Sequence, residues 1–274
     1  MSIFKVDESK CKKCGICAQS CPIRIIDNGI DKIIPSVKPE NESRCVYCGQ
    51  CESVCPDSAL VHELSNLALE PMEKGSATIN PSELGIYFRN RRSIRKYLPK
   101  KVEKAVIEKV MDVVRYAPTG TNRQLNQWVI VSDNGLIEKL AGATINWMKV
   151  VSRANPEMAG KYNLQSVINA YDNGIDGICR NAPHLFICYS YSNHPVGPKD
   201  AVIATSHLEL LLPSYGIGSC WAGFLMMALQ NSPEMKNLIG LDDSSTVHAA
   251  LMAGYPKFRY YTIPVRNKAD IKWL

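Results

Sequence analysis

The residues of this 274-residue sequence with the most chemistry are cysteines, and they are crowded. Cys11, Cys14, Cys17 and Cys21 follow the spacing C-x2-C-x2-C-x3-C and are followed by Pro22; the run returns 34 residues later as Cys45, Cys48, Cys51 and Cys55, followed by Pro56. A fixed-period repeat points to a duplicated unit. Crowded cysteines suit disulfides in secreted proteins, but the first eight residues carry charge where a signal peptide needs an apolar run. Metal is the better reading of these thiols. A four-cysteine zinc site uses two pairs separated by a longer loop, which two triplets at x2 spacing fit poorly. Gly15 and Gly49, at matching places in the two runs, let the backbone turn tightly and aim amides at sulfur.

The double run resembles that of bacterial ferredoxins. The resemblance covers residues 1–65 and implies two 4Fe–4S clusters, in which three cysteines of one run hold one cluster and the cysteine before proline reaches the other. It therefore places one cluster on Cys11, Cys14, Cys17 and Cys55, and the second on Cys45, Cys48, Cys51 and Cys21.

A second set of reactive types begins at Arg89-Asn-Arg91-Arg92-Ser93-Ile94-Arg95-Lys96-Tyr97. Clustered arginines are often a solvated face or a nucleic-acid patch. The interleaved serine and short span suit an anion site, because guanidinium forks match phosphate oxygens. Ala117-Pro118-Thr119-Gly120-Thr121-Asn122-Arg123-Gln124 is a small-residue loop entering a strand, with amides that could read the edge of a heterocycle. Gly216-Ile-Gly218-Ser-Cys220-Trp221-Ala222-Gly223 follows a helix, and Ala253-Gly254-Tyr255-Pro256-Lys257-Phe258-Arg259 puts two cations after a strand. Gly216-x-Gly218 is not a dinucleotide fingerprint: Trp221 stands where the third glycine belongs, and the segment follows a helix rather than a strand.

Taken in order, these four segments resemble the nitroreductase family of FMN enzymes over roughly residues 86–265. The resemblance implies that Arg91, Arg92, Ser93 and Arg95 bind the FMN phosphate and ribityl chain, joined by Lys257 and Arg259. It places Pro118, Thr119, Gly120 and Asn122 on the flavin of a partner subunit, and the amides of Ala222 and Gly223 by the isoalloxazine. Where that family has proline before the tryptophan, this chain runs Gln124-Leu125-Asn126-Gln127-Trp128, so Asn122 rather than Gln124 is the ligand. A homodimer with two FMN sites is likewise implied.

The elements that must position these residues are legible in part. Val102, Ala105, Val106, Val110, Met111 and Val114 recur at helical spacing; 128–132, 184–189 and 247–253 read as strands, and 200–215 as an apolar helix. Residues 135–178 mix helix signals with Gly and Asn and are expected to hold a lid, in which Trp147, Met148, Tyr162 and Tyr171 either line a pocket or pack. Cys179, Cys188 and Cys220 are expected to be packing residues, and His184, His207 and His248 structural. No catalytic residue is assigned. The organisation is an α+β one: a ferredoxin domain at 1–65, a linker at 66–80 and an FMN-binding α+β sandwich at 81–274.

With 46% hydrophobic residues and a net charge of +6 the chain can bury a substantial core, and no apolar run is long enough for a membrane span. A cytoplasmic homodimer is expected, with no nucleic-acid or membrane partner. The expected function is reduction of a small conjugated acceptor, such as a nitroaromatic, quinone or activated alkene, with electrons from ferredoxin or a similar one-electron donor. The alternative is an electron-transfer or redox-sensing module without a substrate of its own.

Overall fold

The computed structural model describes residues 3–27, 33–62, 79–191 and 194–274; the expected linker at 66–80 lies outside these except for its last two positions. The chain divides into two compact units, Met1–Ile79 with Thr121–Arg123, and Asn80–Gly120 with Gln124–Leu274.

The first unit pairs β1 (Phe4–Val6) with β4 (Leu60–His62) and β2 (Ile26–Asp27) with β3 (Ser36–Val37), both antiparallel. Between them lie the short helices α1 (Ile16–Ser20), α2 (Pro39–Glu42) and α3 (Gln50–Ser53). The apolar core is small, with Phe4, Ile25, Ile26, Val37 and Leu60 packed around Cys17. The repeat in sequence is a repeat in backbone. Lys13 and Gly15 match Tyr47 and Gly49, and Arg24 matches Ser58; all six have positive φ. Left-handed residues among right-handed ones turn successive amides inward, the geometry of anion-binding concavities.

The second unit is built on a four-stranded antiparallel sheet in the order β5 (Gln127–Val131), β6 (His184–Tyr191), β8 (Ser245–Gly254), β7 (Gly218–Trp221). Its helices are α4 (Pro81–Asn90), α5 (Lys104–Val114), α6 (Asn134–Ala154), α7 (Pro156–Lys161), α8 (Leu164–Asp172), α9 (Gly197–Leu211), α10 (Gly223–Asn231) and α11 (Pro233–Leu238). Successive strand residues face opposite sides. Phe186, Leu251 and Ala253 meet α5 and α9 through Val110, Val114 and Leu208. Leu185, Ile187 and Met252 meet α6 and α10 through Leu140, Ile145 and Leu225. Both faces are covered, so β6 and β8 read as unbroken apolar runs.

The segment 135–178 is not a lid throughout. Its first half is α6, begun by an Asp133 cap on the Leu136 amide, and Leu140, Ile145 and Met148 are fully buried. A stripe of apolar residues at helical spacing here serves the core.

His184 ties the sheet to the strap before α5. Its Nε2 accepts the Val102 N–H at 2.8 Å, and its Nδ1 lies 2.8 Å from the Ser132 hydroxyl. Burial, with Lys101 second, pushes its pKa down from 6.5 to about 4, because a proton on Nε2 would face an N–H donor. A neutral folded histidine confers full stability above the unfolded pKa, and that stability is lost as pH falls from about 6.5 to about 4. The loss should approach roughly 3 kcal/mol. Urea titration at pH 7 and pH 4.5 should show wild type losing more stability than His184→Gln; equal losses would remove this assignment.

Candidate functional site

The eight paired-run cysteines are all free thiols and lie around two cavities. Cys11, Cys14, Cys17 and Cys55 line one, with Gly15, Pro56 and Leu60; Cys21, Cys45, Cys48 and Cys51 line the other, with Gly49, Phe4 and His62. The duplicated sequence thus makes two sites, each lined by four of the eight cysteines. In both, the cysteine before proline comes from the opposite run. Among the described residues no three His, Cys, Asp or Glu side chains converge tightly enough to hold a single ion. Sulfurs spread around a cavity fit a body with extent, such as a cubane, rather than one tetrahedral ion at a Zn–S distance of about 2.3 Å.

Backbone amides already point at sulfur: Tyr47 N–H donates to Cys45 at 3.4 Å and Ala59 N–H to Cys55 at 3.2 Å. Burial, then the Glu52 carboxylate, pushes the Cys51 thiol up to about 11. A thiolate there needs a cationic partner, which a metal centre supplies.

In the second unit two further cavities share one strip of chain. The first is lined by Phe88, Arg89, Arg91, Arg92, Ile263, Pro264 and Arg266: four guanidiniums and, among the described residues, no carboxylate. Arg91 is braced, since Glu209 accepts from it at 2.9 Å and from the Trp221 indole N–H at 3.1 Å. Arg92 donates to the carbonyls of Arg89, Arg91 and Thr262, while its Nε is buried with no partner. A buried donor without an acceptor among four cations fits an anion such as a phosphate.

The second cavity is lined by Arg95, Arg180, Tyr162, Trp221, Phe224 and Met227, with Gly177, Ile178, Cys220, Ala222, Gly223 and Met252. Its floor includes the start of α10, whose N-terminus has no side-chain cap, so the first-turn amides are free to meet negative charge. Arg92 and Arg95 are three residues apart, which limits them to about 10 Å along an extended chain. Ser93 lies between, bridged to Ser219, and Ile94 N–H donates to the Ser219 carbonyl at 2.8 Å. Gly218 permits this approach, since a Cβ there would lie 2.4 Å from Ile94 Cγ1. An anion seat joined by a short strip of chain to an aromatic cavity follows the order of FMN: phosphate, ribityl chain and ring.

The structure thus puts Arg91 and Arg92 on the cationic cavity and Arg95, Ala222 and Gly223 on the aromatic one, with Ser93 on the strip between Arg92 and Arg95. It does not bring Lys257 or Arg259 to either cavity. Lys257 lies over the Phe258 ring and Arg259 over Tyr261. Arg266, seven residues further on, lines the cationic cavity instead, and no motif in the sequence marked it. Pro118, Thr119 and Gly120 line neither cavity; the Gly120 N–H donates to buried Asp200 at 2.9 Å, and Thr119 Oγ1 accepts from the Gln124 N–H at 3.0 Å. Thr121, Asn122 and Gln124 have φ of 51°, 54° and 51°. Of the residues expected in the lid, Tyr162 lines the aromatic cavity, and Tyr171 lines a separate one with Lys101, Glu138 and Asp176.

Comparison with known proteins shows the family and the fold. Residues 10–60 match a 4Fe–4S dicluster domain. A protein of Archaeoglobus fulgidus that carries the provisional name NADH dehydrogenase/NAD(P)H nitroreductase is 25% identical over 167 residues, which is 61% of this chain and 82% of the relative. The FMN-bound nitroreductase structure from Desulfitobacterium hafniense is similar in fold, with a TM-score of 0.57 at 17% identity, covering 72% of this chain and 100% of that one. The FMN-bound nitroreductase of Bacteroides fragilis gives a TM-score of 0.55 at 18% identity, covering 69% and 99%. The nitroreductase family model spans residues 88–255, more than half of the sequence. This chain belongs to the nitroreductase family.

Proposed function

We propose that this oxidoreductase is a homodimer that holds FMN and two 4Fe–4S clusters, takes electrons from ferredoxin or a similar low-potential one-electron donor, and reduces a small conjugated acceptor such as a nitroaromatic, quinone or activated alkene. The observation that carries the proposal is the pairing of two four-cysteine cavities in one unit with a cationic and an aromatic cavity in the other. When bound, the clusters supply one-electron carriage and FMN supplies the conversion to two-electron reduction.

The chain's own part is positioning and electrostatics. Cys11, Cys14, Cys17 and Cys55 hold one cluster, and Cys21, Cys45, Cys48 and Cys51 the other. Arg89, Arg92 and Arg266 seat the phosphate with Arg91, which Glu209 keeps in line. Ser93 and Arg95 follow the ribityl chain to the ring. The amides at Ala222 and Gly223 face charge that grows on reduction. Tyr162, Trp221, Phe224 and Met227 exclude water and offer flat apolar walls to an acceptor. No carboxylate or histidine lines this cavity among the described residues, so protons reach it from water.

A second copy fits two surfaces. Helix α4 exposes Leu84, Ile86 and Phe88, and the C-terminal stretch exposes Tyr261, Ile263, Val265, Trp273 and Leu274. Exposed apolar side chains of this kind are candidates for an interface. In such a dimer, Pro118, Thr119, Gly120 and Asn122 would serve the partner's flavin.

The test is analytical. Anaerobically purified protein should hold about eight irons and about eight acid-labile sulfides per chain, the content of two cubanes, with one FMN. Cys21→Ala should disturb the cluster of Cys45, Cys48 and Cys51 rather than that of its sequence neighbours. Zinc with little sulfide would sink the proposal.

A further inference from the structure

The loop between α8 and β6 is built around one carboxylate. Asp176 Oδ1 accepts the N–H groups of Ile178 at 2.8 Å and Cys179 at 2.9 Å, and its Oδ2 accepts that of Asn181 at 2.9 Å. Ile178, Cys179 and Ala182 are buried, so the loop is anchored on both sides. It is also strained: Arg180 and Asn181 have φ of 56° and 53°. Two successive left-handed residues, neither a glycine, persist only where the surroundings impose them, and such strain gathers at functional sites.

What the strained turn delivers is Arg180, on the wall of the aromatic cavity beside Gly177 and Ile178. Arg95 lies on the same cavity, and neither arginine forms an ion pair among the described residues. Buried Tyr97 reports both cations: burial, then Cys220, pushes its phenol up, while Arg180 and Arg95 pull it down. Asp176, the acid nearest in sequence, is occupied by three amides. Two guanidiniums and an uncapped helix start, with no acid on the cavity wall among the described residues, hold a positive potential.

Resting on the FMN reading above, we infer that Arg180 tunes the flavin and that Asp176 is its positioning residue: the Arg180 charge makes bound FMN easier to reduce. Reduction adds negative charge to the ring system, and a fixed cation favours the more negative form. Arg95 belongs to the motif strip; Arg180 reaches the same cavity only through the fold.

The test is spectroelectrochemical titration of the full-length, FMN-loaded protein. Arg180→Gln should cut the preference for reduced over oxidised FMN at least tenfold, a fall of about 30 mV for a two-electron couple. Arg180→Lys should keep most of the wild-type potential. Arg180→Gly should lower it as Arg180→Gln does; because glycine adopts positive φ without strain, its folding is protected. Asp176→Asn should shift it in the same direction by less. Unchanged potentials in Arg180→Gln and Arg180→Gly, with FMN fully bound, would overturn the inference. So would an unchanged potential with a raised KM for anionic acceptors, which would make Arg180 an acceptor-binding residue. A wild type that binds no FMN would overturn the functional reading and this inference together, whereas FMN-loaded variants without a shift overturn this inference alone.

Discussion

Cys14→Ala should abolish turnover with reduced ferredoxin while leaving FMN bound and reducible by dithionite. The two halves of this expectation have separate physical grounds. The first unit has a small apolar core in which Cys17 itself is buried and Cys21, Cys45 and Cys51 pack at the edge. A core of that size does not hold so short a unit alone, and metal supplies the missing folding free energy. Removing one of four thiolates from the cavity of Cys11, Cys14, Cys17 and Cys55 should therefore cost that cluster and loosen the unit around it. The second unit has its own cores on both faces of its sheet. Among the described residues, its cationic and aromatic cavities are lined by residues of that unit, so flavin should stay. Cys48→Ala should act likewise through the other cavity. Iron, flavin and turnover are to be measured on the same preparations, with reduced ferredoxin and NAD(P)H as alternative donors. Wild type should prefer ferredoxin, since a flavin reduced directly by a nicotinamide needs no cluster. If the cluster-less variants match wild type with NAD(P)H, and wild type prefers NAD(P)H, the clusters are not the entry route.

Arg266→Ala should weaken FMN binding more than Arg259→Ala. Arg266 lines the cavity that holds Arg89, Arg91, Arg92 and the buried Arg92 Nε, which has no partner among the described residues, whereas Arg259 lies over the Tyr261 ring and lines neither cavity, although both arginines are exposed. A charge-assisted hydrogen bond to phosphate is worth about 1.5–3 kcal/mol, so Arg266→Ala should raise the Kd of FMN roughly ten- to a hundredfold. Arg259→Ala should change it by less than about threefold, as expected for a surface cation outside the cavity. Arg91 is a poorer probe. It pairs with Glu209, whose carboxylate is only 12% exposed, and removing one partner of a buried pair destabilises the fold as well. Flavin fluorescence titration of apoprotein distinguishes these outcomes; equal losses for Arg259 and Arg266 would refute the cationic cavity as the phosphate seat.

Much of the architecture was legible because it is written locally. The strands expected at 128–132, 184–189 and 247–253 are β5, β6 and β8, and the apolar helix expected from 200 is α9, which starts at Gly197. Helical and strand periods involve neighbours a few residues apart, so a single stretch of sequence carries them. The 21-residue α6 falls within the segment expected to hold a lid, and its apolar stripe does not say which surface it will meet. β7 was missed because Gly218–Trp221 is too short to show a period.

The candidate sites divide in the same way. By itself the sequence determined the two cysteine runs, their tight turns at Gly15 and Gly49, and the strip from Arg91 to Arg95, since each is a contiguous motif whose spacing is its chemistry. Only the tertiary structure decided that Arg266 rather than Lys257 or Arg259 joins the cationic cavity, and that Tyr162 and Arg180 reach the aromatic one. Arg92 and Arg266 are 174 positions apart, and their meeting depends on where the chain goes after β8. Arg180 points where it does because Asp176 draws three amides into a left-handed turn. Neither result has a local pattern. Convergence of distant charges follows from packing around a shared sheet, which no short window of residues encodes.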